Sequence, residues 1–353
     1  MITVLIVDDS AVVRKHIEYI LSSDPGIQVI GQAANAEEAL DFLKLRQPDV
    51  ITMDINMPAM DGFEATRRIM ESKPAPIVIV SASWNPMDVE KTFKAMEAGA
   101  VALLEKPAGV GGPDFEKNAA EFLATIKQAA AANVIRLRPQ RPPKSAPRAV
   151  PPPQRKQRVI EVVALGASTG GPPAIQQFLA GLPPEFALPV LIVQHISKGF
   201  TRGFVDWLNG SSPLQVYVAT QGEHIWGGRV YVAPEGFQMG VNNGGIVKLT
   251  EDPPEHWMRP AVSYLFRSVA QAFGNTTAGI LLTGMGMDGA AELKLIRDAG
   301  GITFAQDSDS SIIHGMPGEA IRLGAADYVL PPKDIASVLA DVVTKNVDNR
   351  TGK

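Results

Sequence analysis

The sequence predicts two α/β domains, each a parallel sheet flanked by helices, joined by an extended basic connector. Three observations carry this. Short apolar runs alternate with stretches whose apolar residues recur every three or four positions, before residue 126 and again after residue 159. Residues with chemistry stand at the ends of these runs, where sites in such folds gather. Between the two halves, Asn133 to Arg158 holds eight Lys or Arg, seven Pro and no Asp or Glu. Proline lacks an amide donor and fixes φ, so this stretch builds neither helix nor sheet. The expected division is residues 1–126, a linker at 127–158, and residues 159–353.

Composition limits the function classes. The chain has 353 residues, 45% hydrophobic and 20% charged, enough for sizeable cores. With no cysteine, disulfides, thiolate metal sites and cysteine nucleophiles are excluded, and a reducing compartment fits. No apolar run approaches the ~18–20 residues of a membrane span, so no membrane insertion is expected. The start, Met1 to Asp9, has no basic residue and meets two acids, unlike an export signal. A cytoplasmic protein is expected. The net charge of −4 becomes about −12 outside the linker, where 25 basic residues face 37 acidic ones. No aromatic residue interleaves with the linker's charges, so no nucleic-acid partner is expected.

In the first half the strand runs are Val4 to Val7, Ile27 to Ile30, Val50 to Met53, Ile77 to Val80 and Val101 to Leu104. Val13, Ile17, Ile20 and Leu21 form one helix face, as do Phe115, Ala119, Phe122 and Ile126. Strand one ends in Asp8-Asp9, strand three in Asp54, strand four in Ser81 and strand five in Lys106-Pro107. Three carboxylates on one edge repel unless a cation neutralises them. Oxygen ligands alone suit a hard ion such as Mg²⁺. A lysine and a hydroxyl beside them suit an incoming phosphoryl group.

With the run Asp54-Ile55-Asn56-Met57-Pro58-Ala59-Met60-Asp61-Gly62, residues 1–126 resemble the receiver domain of bacterial response regulators, a flavodoxin-like five-stranded fold. The resemblance implies that Asp54 is the phosphoacceptor. It implies that Asp8, Asp9, Asp54 and the Asn56 carbonyl hold Mg²⁺, and that Ser81 and Lys106 engage the phosphoryl oxygens. Many receivers carry an aromatic switch residue three before the lysine; here that position is Leu103.

In the second half the runs are Val159 to Leu165, Val190 to Val193, Val230 to Val232, Ala278 to Leu282 and Ile302 to Phe304, with a helix expected over Ala290 to Ala299. The first run leads into Gly166-Ala167-Ser168-Thr169-Gly170-Gly171, which fits G-x-S-x-G, a strand-to-helix turn that presents a serine nucleophile. Backbone amides there can stabilise an oxyanion. A serine needs a base, and the base needs an acid to hold its tautomer. His195, ending the second run, and Asp288, in the turn after Leu282, fit those roles. The chain order Ser, His, Asp is not that of α/β-hydrolases. His224, His256 and His314 are rival bases, and His16 lies in the first helix as a solvated residue. A competing reading uses Gly284, Gly286 and Gly289 as a dinucleotide fingerprint, with Asp307 about 20 residues on. Asp288 opposes it, since a carboxylate at that helix start repels pyrophosphate.

The stretches 166–171, Gln194-His195, Gly199-Phe200-Thr201, 283–289 and His314-Gly315-Met316-Pro317 resemble the catalytic domain of the chemotaxis receptor methylesterase family, CheB. The resemblance implies an α/β domain with a mainly parallel sheet. In it Ser168 is the nucleophile, His195 the base, Asp288 the orienting acid, the Met285 amide an oxyanion donor and Thr169 a support. No cofactor is implied there. The resemblance further implies demethylation of glutamate methyl esters and deamidation of glutamines on methyl-accepting chemoreceptors, with a chemotaxis-type histidine kinase as phosphodonor. It also implies that the unphosphorylated receiver covers the cleft. Relatives commonly have His-Arg-Pro-Ser-Val-Asp where Met258 to Ser263 stand, and an acid then His near Gln238. These departures are expected to alter the surface around the cleft. The alternative they leave open is a receptor-docking module with a vestigial triad.

Overall fold

A computed structural model describes residues 1–81, 86–107, 115–132 and 159–351. The first unit runs β1 (Ile2–Val7), α1 (Ala11–Ser22), β2 (Ile27–Ala33), α2 (Ala36–Leu45), β3 (Val50–Asp54), α3 (Gly62–Ser72), β4 (Ile77–Ser81), α4 (Pro86–Glu97), β5 (Ala102–Glu105) and α5 (Phe115–Ala130). Its sheet has the order β2-β1-β3-β4-β5, with every pairing parallel. β3 and β4 are buried along their whole length. That is why they read as unbroken apolar runs: helices cover both faces. Polar side chains start the helices. The Asn35 side chain accepts from the Glu38 amide, and Glu38 accepts from the Ala34 amide, a reciprocal cap on α2. α5 continues to Ala130, into the stretch assigned to the linker, because Phe122, Ile126 and Ala129 keep one apolar stripe buried. The rest of that linker, residues 133–158, lies outside the described residues.

The second unit runs β6 (Val162–Ala167), α6 (Gly171–Ala180), β7 (Val190–Gln194), α7 (Thr201–Asn209), β8 (Gln215–Val218), β9 (Arg229–Val232), β10 (Gln238–Val241), β11 (Val247–Thr250), α8 (Val262–Phe273), a 3₁₀ turn (Gly274–Thr276), β12 (Thr277–Leu281), α9 (Ala290–Asp298), β13 (Ile302–Gln306), α10 (Met316–Arg322), β14 (Tyr328–Leu330) and α11 (Pro332–Thr351). Seven strands form one parallel sheet in the order β14-β13-β12-β6-β7-β9-β8. β10 and β11 make a separate antiparallel hairpin. The strand order reverses beside β6, so the carboxyl ends of β12, β6 and β7 frame the crevice where such sheets bind ligands.

The two units meet across a packed seam. Phe93 of α4 is fully buried and belongs to the apolar cluster of the second unit. Its ring lies 5.6 Å from Phe204 and 5.2 Å from Trp207, both on α7. Glu97 accepts from the Trp207 indole (3.1 Å) and the Gln176 amide (2.7 Å). The Ser197 hydroxyl donates to the Leu103 carbonyl at 3.3 Å. The Gly170 amide donates to the Val101 carbonyl at 3.0 Å. Among the described residues no helix is long and apolar enough to cross a membrane.

Candidate functional site

The crevice of the second sheet gathers three of the expected side chains. β6 and β7 are parallel with Ala167 opposite Gln194, so Ser168 and His195 each leave the sheet one residue later, side by side. The His195 amide donates to the Ala167 carbonyl at 3.0 Å. Gln194 ties the pair together, since its side-chain amide donates to the carbonyls of both Ser168 (2.9 Å) and His195 (2.7 Å). The serine turn needs its glycines. Gly170 sits at φ +77°, and a Cβ on Gly171 would lie 2.0 Å from the Gln194 oxygen. Ser168 is 8% exposed.

Asp288 reaches this pair from the turn after β12. Its carboxylate accepts from His195 Nε2 at 2.9 Å. It also accepts from the amides of Val262 (2.7 Å) and Ser263 (2.8 Å) and from the Ser263 hydroxyl. Those amides open α8, so the helix N-terminus adds its positive end to the same carboxylate. Burial pushes the Asp288 carboxyl up, but the His195 bond and charge and the Ser263 donors outweigh it and hold it below the ordinary carboxylate range. With Nε2 bound to Asp288, the other imidazole nitrogen is Nδ1. It is buried and has no hydrogen-bond partner among the described residues. The lone pair available for a proton is therefore on Nδ1, with Nε2 carrying the hydrogen.

Gly284 and Gly289 serve packing, while Gly286 faces open space and supplies a φ of +83°. A Cβ at Gly284 would meet Met316 Sδ at 2.4 Å and Ser168 Cβ at 2.7 Å, and one at Gly289 would meet Val262 at 2.3 Å. With Asp288 turned onto His195 and α8, the dinucleotide reading loses its helix start. The Met285 amide makes no hydrogen bond among the described residues. Thr169 donates to Gln128 of α5 at 3.2 Å, so a support residue of the turn is held by the first unit.

The rival histidines are engaged elsewhere. His314 faces Ser311 (3.3 Å), and burial pushes its imidazole below its ordinary value despite the opposing charge of Asp307. His224 packs at a tilt against Trp226, with ring centroids 4.6 Å apart. His256 is exposed. His16 is not the solvated residue expected: its ring stacks on Phe115 at 5.9 Å and its Nε2 is buried. The departures at Gln238 and Ser263 also need correction. Both are buried, at 0% and 1% exposure, and lie behind the cleft rather than on the surface around it. Gln238 accepts from the Ala261 amide (2.8 Å), and Ser263 links Asp288 to the Gly289 amide (3.0 Å).

On the first unit, Asp8, Asp9 and Asp54 present carboxylate oxygens within 4.8 Å of one another. Lys106 bridges Asp8 (2.7 Å) and Asp54 (2.9 Å). Burial pushes the Asp54 carboxyl up, and this outweighs the lowering by Lys106. Asn56 is exposed beside them and donates its amide to Asp54 at 3.2 Å. Ser81 is buried, and its carbonyl accepts from the Lys106 amide at 2.8 Å.

One unit with a lysine-bridged acidic edge, joined across a packed seam to a sheet that carries a serine, histidine and aspartate, is the architecture of a sensor-linked hydrolase. The family description "CheB methylesterase" matches residues 163–339, and "Response regulator receiver domain" matches residues 4–111. The chain belongs to the CheB methylesterase family. It is 50% identical to a Nitrosospira multiformis protein named protein-glutamate methylesterase/protein-glutamine glutaminase, over 100% of both chains. A Syntrophus aciditrophicus protein of the same name, numbered 1, is 52% identical over 96% of this chain and 97% of its own. The crystal structure of the Thermotoga maritima CheB methylesterase catalytic domain is 35% identical, with TM-score 0.51, covering 52% of this chain and 99% of that one.

Proposed function

We propose that this chain is a phosphorylation-activated serine hydrolase that removes methyl esters from glutamate side chains of chemoreceptors and deamidates glutamines there. The observation that carries the reading is the His195 Nε2 to Asp288 bond at 2.9 Å, on the sheet edge that also presents Ser168. An intact buried pair with a free Nδ1 also speaks against a vestigial triad.

In this mechanism Ser168 Oγ attacks the ester carbonyl carbon, and His195 Nδ1 takes the hydroxyl proton. Asp288 holds the imidazole and stabilises the charge it gains. The Met285 amide donates to the developing oxyanion, and Thr169 supports the turn. The tetrahedral species collapses, and methanol leaves with the proton from His195. Water, activated by the same nitrogen, then releases glutamate. With glutamine, the same route expels ammonia, a poorer leaving group that needs fuller protonation.

Asp54 accepts the phosphoryl group from a histidine kinase. The clustered carboxylates fit a hard divalent ion. Asp8, Asp9, Asp54 and the Asn56 carbonyl would hold Mg²⁺, which when bound offsets the negative charge of phosphoryl and carboxylate oxygens. Lys106 and Ser81 engage the phosphoryl oxygens. The seam supports control by occlusion: Val101 and Gln128 hold Gly170 and Thr169, the residues directly after the nucleophile. Leu103 packs against the cores of both units and bonds Ser197, so signal passes by packing at a position without an aromatic switch. Phosphorylation shifts the population toward an open form.

The test is methanol release from methylated receptor, with and without phosphodonor. Wild type responds to phosphodonor, Asp54→Asn does not, and Ser168→Ala releases none. Release by Ser168→Ala at the wild-type rate overturns the assignment.

A further inference from the structure

One exposed feature is outside this machinery. Glu255 and Met258 bond each other's amides and carbonyls, closing a tight hairpin, and the two central residues are His256 at φ +50° and Trp257 at φ +66°. A turn with both central φ values positive ordinarily takes Asn and Gly. Here it takes an imidazole and an indole, each in a left-handed conformation that disfavours side chains. Trp257 is 96% exposed, the most exposed large apolar residue in the second unit. Strain is therefore kept at a ring that packs on nothing.

The hairpin is held firmly and close to the site. Arg267 of α8 binds Glu255 and pairs with Glu292 of α9 (3.6 Å). Gln238 donates to the Met258 carbonyl at 3.4 Å. Five residues further on, the Val262 amide bonds Asp288, so at most about 17 Å of extended chain separates Trp257 from the residue that holds the carboxylate. Met285 (44% exposed) and Met287 (57%) stand directly before Asp288 in the turn after β12. Large apolar side chains exposed beside a site mark a protein-binding surface.

We propose that Trp257 is a substrate-docking residue that grips the methylated protein through an apolar surface next to its modified side chain. This rests on the esterase reading, whose substrate is a protein too large to be held by the crevice alone. An indole turns about only two side-chain bonds, so a Trp on an anchored turn loses little entropy on binding, the property of an interface anchor.

The experiment compares the full chain with Trp257→Ala, Trp257→Gly and Trp257→Phe, all with phosphodonor. Trp257→Gly keeps the turn conformation and removes the ring, so a fall in Tm does not confuse the result. KM for methanol release from methylated receptor should rise about 10–30-fold in the Ala and Gly variants, with partial rescue by Phe. Hydrolysis of a small soluble ester, too short to reach the hairpin, should match wild type. Unchanged KM for the receptor, or an equal loss on both substrates, overturns the proposal. So does a concentration-dependent mass for wild type that Trp257→Gly abolishes, which would make the ring a contact between copies. If wild type releases no methanol from receptor yet hydrolyses the small ester, the esterase reading's substrate fails rather than the docking claim.

Discussion

Truncating Phe93 should switch the enzyme on without phosphate. The ring is fully buried, yet it packs with the second unit through Phe204 and Trp207. Phe→Ala in a packed core costs about 3–5 kcal/mol. A seam relaxes more than a core, so the lower figure applies, and the closed arrangement loses about 3 kcal/mol. At about 1.4 kcal/mol per power of ten, the open-to-closed ratio rises about 100-fold. The Glu97 bonds to Trp207 and Gln176 survive and keep some closed form. The assay is the rate of methanol release without phosphodonor. It should climb close to the phosphorylated wild-type rate, and phosphodonor should then add little. A wild-type basal rate from a folded Phe93→Ala would refute the occlusion argument.

Removing residues 1–140 should raise ester hydrolysis for the same reason, measured on a small ester and on receptor; no rise would contradict the role given to Val101 and Gln128. Gln194→Ala leaves the His195 carbonyl without the donor it has now, at about 1–3 kcal/mol, so both Tm and kcat should fall, with KM for a small ester little changed. Asp288→Asn should lower the urea midpoint at pH 7. Because the folded carboxyl lies below its unfolded value, its stabilisation is complete above the unfolded value and is lost as pH falls through the folded one. The gap between wild type and Asp288→Asn should therefore narrow toward pH 2 in urea titrations; a constant gap would contradict the buried-carboxylate account.

Elements buried on both faces were legible in sequence. β3 and β4 coincide with apolar runs because helices cover them above and below, whereas β2, an edge strand with Gln28 and Gln32 exposed, was marked by Ile27, Val29 and Ile30. β8 escaped notice as an edge strand with a single buried residue, Val216, and β14 because it has three residues, none of them buried. β10 hides a buried polar residue, Gln238, whose partners are main-chain groups of a distant loop. The cluster of Ser168, His195 and Asp288 was readable because each member stands at or after the carboxyl end of a strand. The residues that hold it were not. Ser263 bonds Asp288 and the Gly289 amide, and the Gln194 amide bonds the Ser168 carbonyl, partners at least 25 residues away that only tertiary packing brings near and no local spacing marks. For the same reason the departures at Gln238 and Ser263 read as surface changes although both sit under the site.

The bond between Ser197 and Leu103 has a consequence beyond control of the enzyme. Lys106 stands three positions after Leu103, just past the end of β5, and Ser197 stands two positions after His195. A coupling so short runs both ways, since linkage between two binding events is reciprocal. Whatever affinity for the receptor is gained from the phosphoryl group, an engaged receptor returns to the phosphorylated form in equal measure. Molecules already engaged on methylated substrate would then be the ones that favour the phosphorylated state, which concentrates the signal where that substrate remains.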